Sequence, residues 1–94
     1  MADEVKKIQV RMPDQLQGGV YSNNLVIAHN KEEFVMDFMF IVPPVGTVTA
    51  RVITSPSHMK RIISALQDSV AKYEKTFGEI QKAPEPKLEI GFRH

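Results

Sequence analysis

Ser55-Pro56-Ser57-His58-Met59-Lys60-Arg61 decides the fold, because a β-branched run ends where it starts and a helical period begins inside it. Ser55 is placed as the N-cap, and Pro56 takes the first helical position, where its missing N–H is not needed. The helical pattern continues to Phe77, and Gly78 supplies a left-handed C-cap. A helix from Pro56 to Phe77 is about 33 Å long at 1.5 Å per residue, similar to a ten-residue strand at roughly 3.3 Å per residue. The expectation is a long C-terminal helix packed along an antiparallel sheet of three to four strands, an α+β domain.

The apolar positions of this helix are Met59, Ile63, Leu66, Val70, Tyr73 and Phe77, in steps of four, three, four, three and four. Strict alternation of four and three is the seam that two helices use against each other, whereas a helix lying on a sheet usually shows a wider stripe. These six residues are therefore the expected oligomer interface. The alternative is that Ile62, Ala65 and Ala71 widen the stripe and the helix simply covers its own sheet.

Upstream of the junction, Thr47 to Thr54 is rich in β-branched residues and reads as a strand. Before it, Glu33 to Val42 puts Phe34, Met36, Phe38 and Phe40 on one side and Val35, Met39 and Ile41 on the other, with Asp37 alone breaking the second. A strand apolar on both sides is central and needs a cover above and below. One helix cannot supply both, so a second subunit is the economical cover, and two-fold symmetry is the commonest way to provide it. Pro43-Pro44-Val45-Gly46 closes this strand, with the glycine placed as the turn residue.

Val20 to His29 reads as the preceding strand, with Ser22-Asn23-Asn24 as an interruption of the kind a bulge makes. His29-Asn30-Lys31-Glu32 is the hairpin turn. Lys6 to Met12 alternates Ile8, Val10 and Met12 against Lys7, Gln9 and Arg11, the period of a half-buried edge strand. Pro13-Asp14 stops it and Gly18-Gly19 permits a bend. Residues 1–81 are thus expected to form a single domain. Residues 82–94 form a tail spaced by Pro84 and Pro86, in which Leu88, Ile90 and Phe92 alternate as a short strand that docks elsewhere.

The chain has 94 residues, no cysteine, and 12 Lys plus Arg against 11 Asp plus Glu. The missing thiols exclude disulfides, thiolate metal sites and cysteine nucleophiles. The near-balanced charge excludes a global field for nucleic acid or anionic lipid, so any such binding needs a local patch. The first residues lack a signal-peptide pattern, and no apolar run reaches the roughly 18 residues that span a bilayer. A cytoplasmic protein without a membrane partner is expected.

An antiparallel meander brings the ends of its first and third strands together, about 9–10 Å apart, which sets His29-Asn30 near Ser55. Ser57, His58, Lys60 and Arg61 follow in the first turns of the helix, where free backbone N–H groups and the helix dipole favour anions. These seven residues are the candidate anion or ligand site. The alternative is a plain cap followed by a solvated basic face. His29 and His58, even with Glu33 or Asp37, lack the spacing of a metal site, so no metal or cofactor is expected. Asp37 is expected to pair with Arg51, as buried charges do, in preference to acting as a raised-pKa acid. No nucleophile elbow, P-loop or dinucleotide fingerprint is present, so an enzyme is not expected.

At Val20-Tyr21-Ser22-Asn23, Glu33-Phe34-Val35-Met36-Asp37-Phe38, Arg51-Val52-Ile53-Thr54-Ser55-Pro56 and Tyr73-Glu74-Lys75-Thr76-Phe77-Gly78-Glu79-Ile80, the chain resembles a family of small prokaryotic proteins, domain-of-unknown-function family 3467. The resemblance covers Val20 to Ile80 and implies membership without an activity. In plan, strands followed by a long helix in an oligomer, the chain is also similar to the SecB export chaperones, though fold-level analogy does not establish function. The expected role is a non-enzymatic homo-oligomer, a dimer or larger, that binds a protein or peptide segment. Methionines 12, 36, 39 and 59 offer adaptable apolar surface for it. Anion or nucleic-acid binding at the helix N-terminus is the alternative.

Overall fold

The computed structural model describes residues 4–85 and 87–93. Met1-Ala2-Asp3, part of the stretch judged for a signal pattern, and Pro86 of the tail lie outside the described residues. The chain divides into two compact units, Met1–Pro56 and Ser57–His94.

The first unit is a three-stranded antiparallel sheet in the order β1-β2-β3, with β1 at Asn24–His29, β2 at Phe34–Val42 and β3 at Val45–Thr54. β2 is central, as its two apolar faces require. Met36 and Met39, on opposite faces, are 6% and 3% exposed. Leu25, Ile27 and Phe40 remain half-exposed around them.

Two turns set the strand lengths. Between β1 and β2 the Asn30 side-chain oxygen accepts the backbone N–H groups of Glu32 (2.8 Å) and Glu33 (2.9 Å), and the Asn30 N–H donates to the Glu33 carbonyl (3.0 Å). Between β2 and β3 the loop is only Pro43-Pro44, joined by a cis peptide bond, with Val42 opposite Val45. Gly46, expected in the turn, instead lies in β3 opposite Ile41, where a Cβ would come within 2.9 Å of the Ile41 Cγ1. The glycine is there because the isoleucine side chain crosses over it.

The register of β2 against β3 shifts once. Phe38 pairs with Ala50 but Met39 pairs with Val48, leaving Thr49 as the extra residue of a bulge. The Thr49 hydroxyl donates to the Phe38 carbonyl at 3.1 Å.

β1 starts four residues later than the expected Val20, and the reason is a side-chain clamp. The Asn23 side-chain oxygen accepts the Ile41 N–H, and its Nδ2 donates to the Ile41 carbonyl, both at 2.9 Å. The Asn23 N–H and the Ser22 hydroxyl both donate to the Met39 carbonyl. One amide thus completes the backbone pairing that a further strand residue would have made. Tyr21 continues the line by packing edge-on against Phe40, ring centroids 5.7 Å apart.

Lys6–Met12 forms no strand, contrary to expectation. Alternation makes a segment two-faced, but a strand also needs a ladder partner, and this segment has none in the sheet. Val5, Ile8, Val10 and Met12 are 58–95% exposed. A 3-10 turn at Asp14–Leu16 and Gly19, with φ of 69°, lead into the sheet.

The helix α1 spans Pro56–Phe77, starting directly after Ser55, and all of it beyond Pro56 belongs to the second unit. It ends at the expected left-handed Gly78, φ 100°, whose N–H donates to the Glu74 carbonyl at 2.9 Å. The Glu74 carboxylate also accepts the Ile80 N–H at 2.9 Å. Among the described residues beyond Gly78 no strand forms, so the alternation of Leu88, Ile90 and Phe92, like that of the first segment, finds no ladder.

Replacing Asn23 by Leu strands the Ile41 N–H and carbonyl at the start of the sheet. At about 0.5–1.5 kcal/mol per hydrogen bond, the expected loss is roughly 1–2 kcal/mol, a fall in Tm on the order of 5–10 °C for a domain of this size. Thermal unfolding of the variant beside Asn23→Asp, which keeps the acceptor alone, checks the assignment: the aspartate should lose less than the leucine.

Candidate functional site

Asp37 and Arg51 face each other across the β2–β3 ladder. Their pairing is bidentate: Arg51 Nε donates to Asp37 Oδ1 at 2.6 Å and its terminal NH2 donates to Oδ2 at 2.9 Å. The carboxylate is 8% exposed and the guanidinium group's side chain 57%, so the acid is enclosed while the base bridges to solvent. The hydrogen bond from Arg51 holds the Asp37 carboxyl below the ordinary aspartate range, against a smaller opposing effect of burial. Asp37 raises the guanidinium in turn, chiefly through the same hydrogen bond. An acid held ionised and doubly hydrogen-bonded is a structural group, which settles the choice between pairing and acid chemistry in favour of pairing.

The topology brings the predicted strand ends together. Phe34 pairs with His29 of β1 on one side and Thr54 of β3 on the other, so His29 and Thr54, with Ser55 next, finish at one end of the sheet. The His29 ring lies tilted against Phe34 with centroids 5.3 Å apart. The side-chain oxygen of Asn30 is committed to its own turn. Ser57, His58, Lys60 and Arg61 occupy the first two turns of α1 and are exposed, and the first turn carries no acid. None of Ser55, Ser57 and His58 is a free group. Among the described residues no three His, Asp or Glu side chains gather as metal ligands would, and no helix is long and apolar enough to cross a membrane.

The larger open features are apolar. Ile63, Leu66, Val70, Tyr73 and Phe77 run along α1 with 44–73% of each exposed, and the Tyr73 and Phe77 rings touch with centroids 5.0 Å apart. Met59, the sixth residue of the seam, is buried at 7% exposure, so the open seam starts at Ile63. A shallow groove lined by Leu66, Gln67, Val70, Ala71 and Glu74 follows one flank. In the sheet, β3 has β2 as its ladder partner and presents Val48, Val52 and Ile53 at 40–53% exposure. The Asn23 clamp and the Gly46–Ile41 contact escape a reading of the sequence; the interruption Ser22-Asn23-Asn24 was their visible trace.

Because the folded-state pKa of Asp37 is depressed, the pair's contribution to stability is fully present above the unfolded aspartate value of about 3.9 and is lost as pH falls through the lower folded value. Urea midpoints measured from pH 6 down to pH 2 should therefore fall for the natural chain, with a shallower acid limb for Asp37→Asn. An acid limb unchanged by that substitution contradicts the assignment.

No curated protein and no solved structure matches the chain, so the likeness in plan to SecB finds no support there. The model of one family, described as "Protein of unknown function (DUF3467)", matches residues 1–82. That span takes in all four motifs between Val20 and Ile80, among them the Asn23 clamp, the Asp37–Arg51 pair and the Gly78 cap. The chain belongs to this family.

Proposed function

We propose that the chain is a non-enzymatic, homo-oligomeric binding module of the cytoplasm that takes up an extended protein or peptide segment, as a chaperone or adaptor does. The observation that carries this reading is β3, a ten-residue strand at the edge of the sheet with Val48, Val52 and Ile53 half-exposed. An edge of this length presents backbone donors and acceptors to an added strand, and alternate apolar side chains select what is added. Natural edges are usually blunted by charge, proline or brevity. Here Arg51 is the charged side chain within β3, and it is turned to Asp37. Leu25 and Ile27, about half-exposed, line the face that Val52 shares with Met36; Met36, Met39 and Met59 themselves, expected as adaptable surface, are buried and do not contribute to it.

The competing reading is an anion or nucleic-acid strand held at Lys60 and Arg61, favoured by a first helical turn without acids. Titration with an extended apolar peptide and with a single-stranded oligonucleotide separates the two. Peptide affinity is expected to change little between about 50 and 500 mM salt, to be lost in Val48→Lys/Val52→Lys, and to persist in Arg61→Glu. Oligonucleotide binding with log affinity falling steeply against log salt, and strongly weakened by Arg61→Glu, overturns the peptide reading.

A further inference from the structure

We propose that the open seam of α1 is the interface of a two-fold dimer, in which the helix lies antiparallel against the same helix of a second copy. The inference rests on the reading of the chain as a homo-oligomer and adds to it the surface and the orientation.

Lettered as heptads, Ile63, Val70 and Phe77 hold the a positions and Leu66 and Tyr73 hold d. A two-fold axis at the level of Asp68 sets the a residues Ile63 and Val70 opposite the d residues Tyr73 and Leu66, with Phe77 beyond the last of these layers. Leu66 meets Val70 of the second copy, and Ile63 meets Tyr73 of the second copy, each contact occurring twice. A self-complementary interface requires this reciprocity. The aliphatic layers fall at the centre and the aromatic rings outside them.

The flanking residues select the orientation. The e positions are Lys60, Gln67 and Glu74; the g positions are Ile62, Ser69 and Thr76, which carry no charge. In the antiparallel arrangement e residues face e residues, so Lys60 faces Glu74 of the second copy at both ends and Gln67 faces its own counterpart across the axis. No like charges oppose. In a parallel arrangement e faces g, so Glu74 faces Ser69, Lys60 faces a position ahead of the helix, and no ion pair forms. Charge pairs on these flanks set partner and orientation more than affinity, and the antiparallel order also opposes the two helix dipoles favourably. One oxygen of Glu74 is anchored by the Ile80 N–H, which holds the carboxylate on its flank. The shallow groove of Leu66, Gln67, Val70, Ala71 and Glu74 leaves room there for an incoming side chain.

The chain has no cysteine, so single-cysteine variants report the geometry directly. Gln67→Cys lies next to its counterpart only in the antiparallel pair. Phe77→Cys lies next to its counterpart only in the parallel pair, since the antiparallel order separates the two by about 27 Å along the axis. Mild oxidation should link Gln67→Cys into a dimer and leave Phe77→Cys unlinked. Lys60→Glu should weaken the dimer about tenfold, and Lys60→Glu/Glu74→Lys should restore it to within about threefold. Linkage through Phe77→Cys, a dimeric mass with neither variant linked, or a charge swap that fails to restore affinity each overturns the antiparallel helix interface while leaving the homo-oligomer standing. A monomeric mass for the unaltered chain by light scattering at tens of micromolar removes the homo-oligomer as well.

Discussion

The sheet depends on one ion pair. Asp37 is the only charged residue of β2, and it is enclosed; left unpaired there, a carboxylate is costly, so the fold that survives is the one in which Arg51 stands opposite. A one-residue slip of β3 sends its side chains to the other face and takes the guanidinium with them. The pair therefore acts as a register pin for the long hairpin. The bulge at Thr49 lies two residues from Arg51 and resets the alignment toward the Pro43-Pro44 loop, where the Gly46–Ile41 contact fixes it again. Between pin and loop the hairpin has little freedom to pair otherwise.

The ends of β1 are held by asparagines. Asn23 and Asn30 use side-chain amides in place of backbone groups, one to start the ladder and one to turn it. This explains where sequence reading reached and where it stopped. The centre of each strand was legible because a period of two needs only neighbours in the chain, and the helix was legible because Ser-Pro and Phe-Gly punctuate it. Asp37 and Arg51 were legible as a pair because a lone acid in an apolar strand has one physical remedy. The start of β1 was not, since nothing in Ser22-Asn23-Asn24 says which backbone its amide will replace.

The alternating segments 6–12 and 88–92 show the same limit from the other side. Their residues have the pattern of strands, but pattern describes a segment and pairing describes two. The candidate site divides in the same way. That His29 and Ser55 share one end of the sheet follows from strand direction and was readable; that the Asn30 oxygen is committed to its own turn is a matter of atoms. Within the helical seam, spacing placed all six apolar residues on one line. It held no information on the burial of Met59, which separates that residue from the other five.

Among the described residues the buried apolar side chains are Met36, Met39 and Met59, and all three are thioethers. Flexible, unbranched side chains fill space without dictating shape, which leaves specificity to the ion pair and the amide clamps. It also makes the interior chemically addressable. Oxidation of a buried methionine turns an apolar filler into a polar sulfoxide, so Met12, 58% exposed, can take up oxidant at little cost, whereas an oxidant that reaches Met36, Met39 or Met59 puts a polar group into the interior.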